Sequence, residues 1–114
     1  MVNKWDICFC CLDPTIGSEQ RGTRPVLVIS NNAVNHLLPV CTVIPLSSWK
    51  QGDKIYPTEI LLTAAMTGLP KDSVAMIHQI RTIAHTRLKP STGMLEDEFL
   101  QEQIREAIRK YFEV

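Results

Sequence analysis

The sequence predicts a mainly β fold with one C-terminal helix: a small antiparallel sheet, curled into an SH3-like barrel and capped by that helix. Three observations lead there. Five short apolar runs are separated by clusters of Gly, Pro, Asn and Asp. The connections between these runs are short and rich in turn residues. After Gly93 the apolar residues stop alternating and recur every three or four positions. At 114 residues the chain, 1–114, is expected to form one domain, long enough for one core and too short for two.

Trp5–Leu12 (WDICFCCL) is the first expected strand, with Trp5, Ile7, Phe9 and Cys11 on one face, and it stops at the turn signal Asp13-Pro14. The polar loop Pro14–Thr23 follows, with Gly17 and Gly22 as the residues that take positive φ without penalty. Pro25 then opens the strand Val26–Ser30, since a missing N–H is tolerated at a strand start or edge, and Asn31-Asn32 ends it. Ala33–Leu38 is ambiguous; a helical turn is one reading. Val40–Leu46 reads as a third strand, with Ser47 and Ser48 just past its end. A polar connection, Trp49–Tyr56, leads to Pro57 and the strand Thr58–Leu62, and the loop Thr63–Lys71 follows.

Ser73–Ile83 is the longest expected strand. Its alternation puts Val74, Met76, His78, Ile80 and Thr82 on one face and Ala75, Ile77, Gln79, Arg81 and Ile83 on the other. From about Glu96 to Phe112 the three- and four-residue spacing of Phe99, Leu100, Ile104, Ala107, Ile108, Tyr111 and Phe112 predicts an amphipathic helix. Glu96, Asp97 and Glu98 suit its N-terminus and Arg109 with Lys110 its C-terminus.

Twelve basic and twelve acidic side chains cancel over the whole chain. From Met94 onward six acids face three bases, so the preceding body holds nine bases and six acids. A mildly basic body permits contact with a short polyanion without requiring it. The four cysteines, Cys8, Cys10, Cys11 and Cys41, lack the paired spacing of a zinc site. Cys8 and Cys10 share a strand face about 6.6 Å apart, which rarely meets disulfide geometry. They read as small core residues, and no metal site or cofactor is expected. No apolar run approaches the roughly 18 residues of a membrane span, and Met1–Lys4 does not resemble the start of a signal peptide. The cytoplasm is therefore the expected location, with no membrane partner.

A polar loop between two rigid strands can aim side chains, so Leu12–Ser30 is where chemistry is sought first. Gln79 and Arg81, on one otherwise apolar strand face, could line the edge of the same site.

The segments LDPTIGSEQRGTRPVLVISN, VIPLSS, PTEILL and TGLPKDSVAMIHQIRTI, with the closing helix, make this chain similar to the MazF/PemK toxins of type II toxin–antitoxin pairs. The resemblance covers most of the chain in the family's order and spacing. It implies the SH3-like barrel of the MazF/PemK/CcdB-like toxin fold, a homodimer and a cognate antitoxin. The implied activity is that of a metal-independent, sequence-specific endoribonuclease, an mRNA interferase. Such an enzyme cleaves single-stranded RNA to 2′,3′-cyclic phosphate and 5′-hydroxyl ends. The family's arginine falls on Arg24, its glutamate on Glu19, and its threonine on Ser47, which keeps the hydroxyl. Trp5 stands where a glycine is usual, and Cys11 where an aspartate is common. Some relatives carry an aspartate as proposed base at the position of His78.

Attack by a 2′-hydroxyl needs its proton removed, charge on the phosphate oxygens neutralised, and the departing 5′-oxygen protonated. A guanidinium fork matches two phosphate oxygens at once, which suits Arg24, with Ser47 as a neutral donor. Without the resemblance, Arg24 would read as a surface arginine paired with Glu19 or Asp13, and Ser47 as a turn residue bonding its own backbone. Glu19 and His78 are the candidates for the base; Glu19 could instead pair with an arginine or read a nucleobase, and alternation makes His78 an interior residue. Thr15, Ser18, Gln20, Arg21, Gln79, Arg81 and Arg87 are the candidate RNA contacts. Trp49 could stack on a base or anchor its loop. A toxin of this fold that inhibits DNA gyrase is the competing reading, and a non-catalytic SH3-like module the third. Arg24 with Ser47 favours the nuclease, and the aromatic residues do not cluster as a peptide groove would require.

Overall fold

Residues 2–114 are described by a computed structural model in which one long bent strand organises the sheet. The elements are β1 (Asp6–Cys11), β2 (Thr23–Val28), α1 (Asn32–Leu37), β3 (Val40–Ser48), β4 (Glu59–Leu62) and α2 (Ala64–Thr67), then β5 (Ser73–Met76), β6 (Arg81–Ala84), β7 (Leu88–Met94) and α3 (Glu98–Phe112). All pairings are antiparallel, in the order β4-β5-β3-β2-β1-β7, with β6 also on β3. The sheet curls as expected of a barrel but is not closed: β4 and β7 are its two ends.

Alternation along the strands sorts the buried side chains into two clusters. Ile7, Leu27, Ile44 and Leu46 point to the face covered by α3, where they meet Leu62, Ile77, Leu95 and Ile104, with Leu100, Ala107 and Ile108 packed alongside. Cys10, Leu12, Val26, Val28, Cys41, Val43 and Ile83 form the cluster on the opposite face. The α3 helix begins where Asp97 caps it by accepting the Leu100 N–H at 2.8 Å, and Arg109 and Lys110 occupy its last turn.

The expected strand Ser73–Ile83 is broken in two. Between the pairs Ala75↔Leu46 and Arg81↔Val43, five residues face only two on β3, and one of those two is Pro45, which has no N–H to give. The surplus folds out as a 3₁₀ turn over Ile77–Gln79, held by Ile77 N–H on Thr58 O at 2.9 Å and Ile80 N–H on Ile77 O at 3.1 Å. Alternation therefore fails there. His78 is exposed rather than interior, and it shares a turn with Gln79.

Other boundaries shift for local reasons. β2 starts at Thr23 and contains Pro25, which is tolerated because recorded pairing with β3 begins only at Val26. Ser47 and Ser48 belong to β3 rather than following it. The expected loop 63–71 contains α2, ended by Gly68 at φ 77°. Segment 88–94, not expected to be regular, is the end strand β7; its pairing with β1 shifts register, and most of its residues are exposed, so no apolar alternation marks it. Gly93 lets β7 approach α2 closely, since a Cβ there would lie 3.0 Å from Thr67 O. Cys11, expected on the inner face with Ile7, is exposed at the end of β1. Trp5 adopts φ 75°, a conformation that glycine favours, and its ring lies between the Lys4 ammonium at 5.1 Å and the Arg105 guanidinium at 5.2 Å.

Candidate functional site

The hairpin loop joining β1 to β2 closes where the Leu12 N–H donates to Gly22 O at 3.0 Å. Just beyond, Arg24 sits opposite Cys10 in the β1–β2 register. The β2–β3 ladder ends at the pair Val26↔Pro45; further along β3, Ser47 pairs with Val74 of β5. The strand ends remain neighbours, since Pro25 and Ser48 line a common hollow of about 210 Å³ with Phe9, Leu69 and Ser73. The chain thus brings the guanidinium and hydroxyl candidates to one edge of the sheet.

Arg24 is half-buried and held by its own loop. Its Nε donates to Arg21 O at 2.8 Å. The Gln20 side-chain amide lies against the Arg24 guanidinium, in contact with Nε, Nη1 and Nη2 together, and so covers its face. A side chain of its own loop therefore covers the guanidinium that a phosphate would meet.

The loop is tied internally. Glu19 Oε1 accepts the Ile16 N–H at 2.6 Å, and Thr15 Oγ1 donates to Asp13 Oδ1 at 3.2 Å. The Glu19 carboxylate thus shapes its own turn and does not pair with Arg24. Ser18 and Arg21 are exposed on the loop, and Ile16 at its tip is 84% exposed. Ile16 lies within the segment Thr15–Arg21 expected to read RNA, an apolar side chain at the tip of a polar loop.

Three residues of segment 79–87 reach across to this loop. Gln79 Oε1 accepts the Gln20 N–H at 2.9 Å and its Nε2 donates to Ser18 O at 3.1 Å. Arg81 Nη1 donates to Leu12 O at 3.1 Å, and Arg87 Nη1 to Asp13 O at 2.6 Å and Cys11 O at 3.2 Å. The expected convergence of 79 and 81 on the loop therefore exists, through main-chain groups. His78 lies in the adjoining turn, its Nδ1 hydrogen-bonded to Thr58 Oγ1 at 2.8 Å. Trp49 anchors its own connection, with Nε1 donating to Asp53 O at 3.0 Å.

Beneath the site three of the four thiols, Cys8, Cys10 and Cys41, are buried. Burial pushes Cys8 and Cys41 up to about 11. It raises Cys10 too, against the pull of the Arg87 and Arg81 guanidiniums. All four cysteines are free. Among the described residues, no group of three His, Cys, Asp or Glu side chains is placed to hold a metal ion, and no helix is long and apolar enough to cross a membrane.

Comparison with known proteins adds three findings. Residues 3–112 match the family described as PemK-like, MazF-like toxin of type II toxin-antitoxin system. Endoribonuclease EndoA of Bacillus subtilis is 38% identical over 109 residues, covering 96% of this chain and 92% of its own. Among solved structures, MazF from Deinococcus radiodurans superposes with a TM-score of 0.83 at 22% identity, covering 99% of this chain and 97% of that one. An endoribonuclease in complex with its cognate antitoxin, from a mycobacterial species, superposes at 0.79 with 18% identity, covering 100% and 97%.

Proposed function

The chain belongs to the PemK-like, MazF-like toxins and is an endoribonuclease of a type II toxin–antitoxin system, and from that premise we propose a metal-independent, sequence-specific cleavage of single-stranded RNA. The observation that supports it best is the Arg24 guanidinium on β2 beside a loop that Gln79, Arg81 and Arg87 hold in place, with Ser47 near the end of the neighbouring strand β3.

In this reading the scissile phosphate displaces the Gln20 side chain and meets the Arg24 fork. The guanidinium then neutralises the charge growing on the two non-bridging oxygens, and the Ser47 hydroxyl donates to the same phosphate. The RNA's own 2′-hydroxyl attacks the adjacent phosphorus and the 5′-oxygen departs, leaving a 2′,3′-cyclic phosphate and a 5′-hydroxyl. No water or metal-bound hydroxide is needed as nucleophile. His78 is the better placed base, since the Glu19 carboxylate is engaged by the Ile16 N–H while the His78 ring is exposed with Nε2 left for a second partner. Thr15, Ser18, Gln20 and Arg21 read bases or hold the strand, with Gln79 behind them.

The same reading assigns a homodimer, a cytoplasmic location and a cognate antitoxin, as in the mycobacterial complex. An acidic, apolar antitoxin tail would compete with RNA for the basic body of the toxin. The deciding experiment incubates the purified protein with a long unstructured RNA in excess EDTA and maps cut positions and end groups. Cuts at one short motif with 5′-hydroxyl ends support the proposal; cleavage that requires Mg²⁺, or none at all, overturns it.

A further inference from the structure

We propose that Arg87, with Arg81 beside it, is a positioning residue of this nuclease: the two guanidiniums grip the first limb of the β1–β2 loop, and that grip sets where Arg24 stands on the second. The inference rests on the nuclease reading above and assigns Arg81 and Arg87 a task other than holding RNA phosphates.

Three consecutive carbonyls, those of Cys11, Leu12 and Asp13, accept from these two side chains. Here the strand leaves the sheet, and the residues that follow lack ladder partners. Charged donors hold such carbonyls about twice as strongly as neutral ones. The Arg87 contact to Asp13 O, at 2.6 Å, is the shortest of the three.

Displacement of this limb reaches Arg24 by a short route. Leu12 is bonded across the hairpin to Gly22, and Cys10 is paired with Arg24 itself. A shift at residues 11–13 therefore moves the main chain two residues before the catalytic guanidinium. Gln79 holds the other limb at Ser18 and Gln20, so segment 79–87 grips both sides of the loop. Both Arg87 contacts come from Nη1, whose two hydrogens serve the Asp13 and Cys11 carbonyls; a lysine ammonium ends one bond short of that atom.

The test compares Arg87→Gln and Arg87→Lys with the wild-type chain in two measurements. The first is amide hydrogen exchange of the segment 12–24 without RNA. The second is kcat and KM on an oligoribonucleotide spanning a mapped cut, over a series of salt concentrations. Positioning predicts that Arg87→Gln speeds exchange in this segment by about tenfold or more. It also predicts a kcat loss on the order of 10²-fold, the effect of a misplacement of about 1 Å. KM and the salt slope of kcat/KM should stay as in the wild type.

A phosphate contact would instead raise KM and make the salt slope shallower by about 0.7, with exchange unchanged, and that result overturns the inference. Faster exchange with unaltered kcat also overturns it. Should Arg87→Gln fail to fold, Arg87→Lys decides: an intermediate kcat loss supports positioning, and wild-type kinetics refute it. A wild-type chain that cuts no RNA sinks the nuclease reading, whereas unchanged exchange in an active variant sinks only this one.

Discussion

Gln79 and Gln20 face each other across the mouth of the β1–β2 loop, the Gln20 N–H donating to Gln79 Oε1 at 2.9 Å. The other end of the same amide donates to Ser18 O at 3.1 Å. One side chain thus satisfies a main-chain donor and a main-chain acceptor, and the Gln20 side chain in turn lies against the Arg24 guanidinium.

Replacing Gln79 by leucine removes both bonds without changing charge. At about 1 kcal/mol per hydrogen bond, a loss of ~1–2 kcal/mol in unfolding free energy is expected, measured from the urea midpoint. Turnover should fall about tenfold as the loop loosens. Gln79→Glu keeps the bond to Gln20 but turns a second acceptor toward Ser18 O, so it should lie between the two. A leucine variant of wild-type stability whose only defect is a raised KM would mean that Gln79 serves RNA and not the loop.

Arg24→Ala should lower kcat on the order of 10²–10³-fold, the usual cost of one transition-state donor. Arg24 is half-buried and its partners lie within its own loop, so the variant should unfold within about 0.5 kcal/mol of wild type. Arg24→Lys keeps the charge without the fork and should recover less than tenfold of the lost rate. Single-turnover cleavage of an end-labelled RNA measures both; a lysine variant of full activity would show that charge alone suffices.

His78 provides a third test. If its ring removes the 2′-proton, His78→Ala lowers kcat on the order of 10²-fold with KM unchanged. Thr58→Val, which removes the hydroxyl bonded to Nδ1, should lower kcat by less than that without abolishing turnover. An unchanged kcat in His78→Ala would transfer the role of base to Glu19 or to another group.

The elements legible from sequence were those whose two-residue or three-to-four-residue pattern is set by burial. β1, the core of β3 and α3 lie within two residues of expectation at either end because Ile7, Val43, Ile44 and Ile104 are wholly buried. The 3₁₀ break at Ile77–Gln79 was hidden because its cause is a mismatch in length against β3, two strands away in the chain. β7 was hidden because Lys89, Pro90, Ser91 and Thr92 lie exposed and leave no apolar mark. At the site, the family resemblance pointed to Arg24 and Ser47, and alternation to Gln79 with Arg81, on a strand that the 3₁₀ turn in fact breaks. Their partners are carbonyls and amides, which every residue carries and no sequence pattern distinguishes.

The thiols give a pH-dependent prediction. Cys8 and Cys41 rise from 9.0 to about 11 on folding, chiefly because burial penalises the thiolate. The folded state therefore holds protons that the unfolded chain releases, so stability is full below about pH 9 and declines as pH rises toward 11. The urea midpoint should fall across that window, and Cys41→Ala should weaken the dependence after its own cavity cost has lowered the baseline. At neutral pH the same burial leaves Cys11 as the exposed thiol, so a thiol reagent should label one cysteine quickly in the native protein and all four in urea. Rapid labelling of more than one would mean that β1 opens on the timescale of the reaction, which would loosen the very strand whose Cys10 stands opposite Arg24.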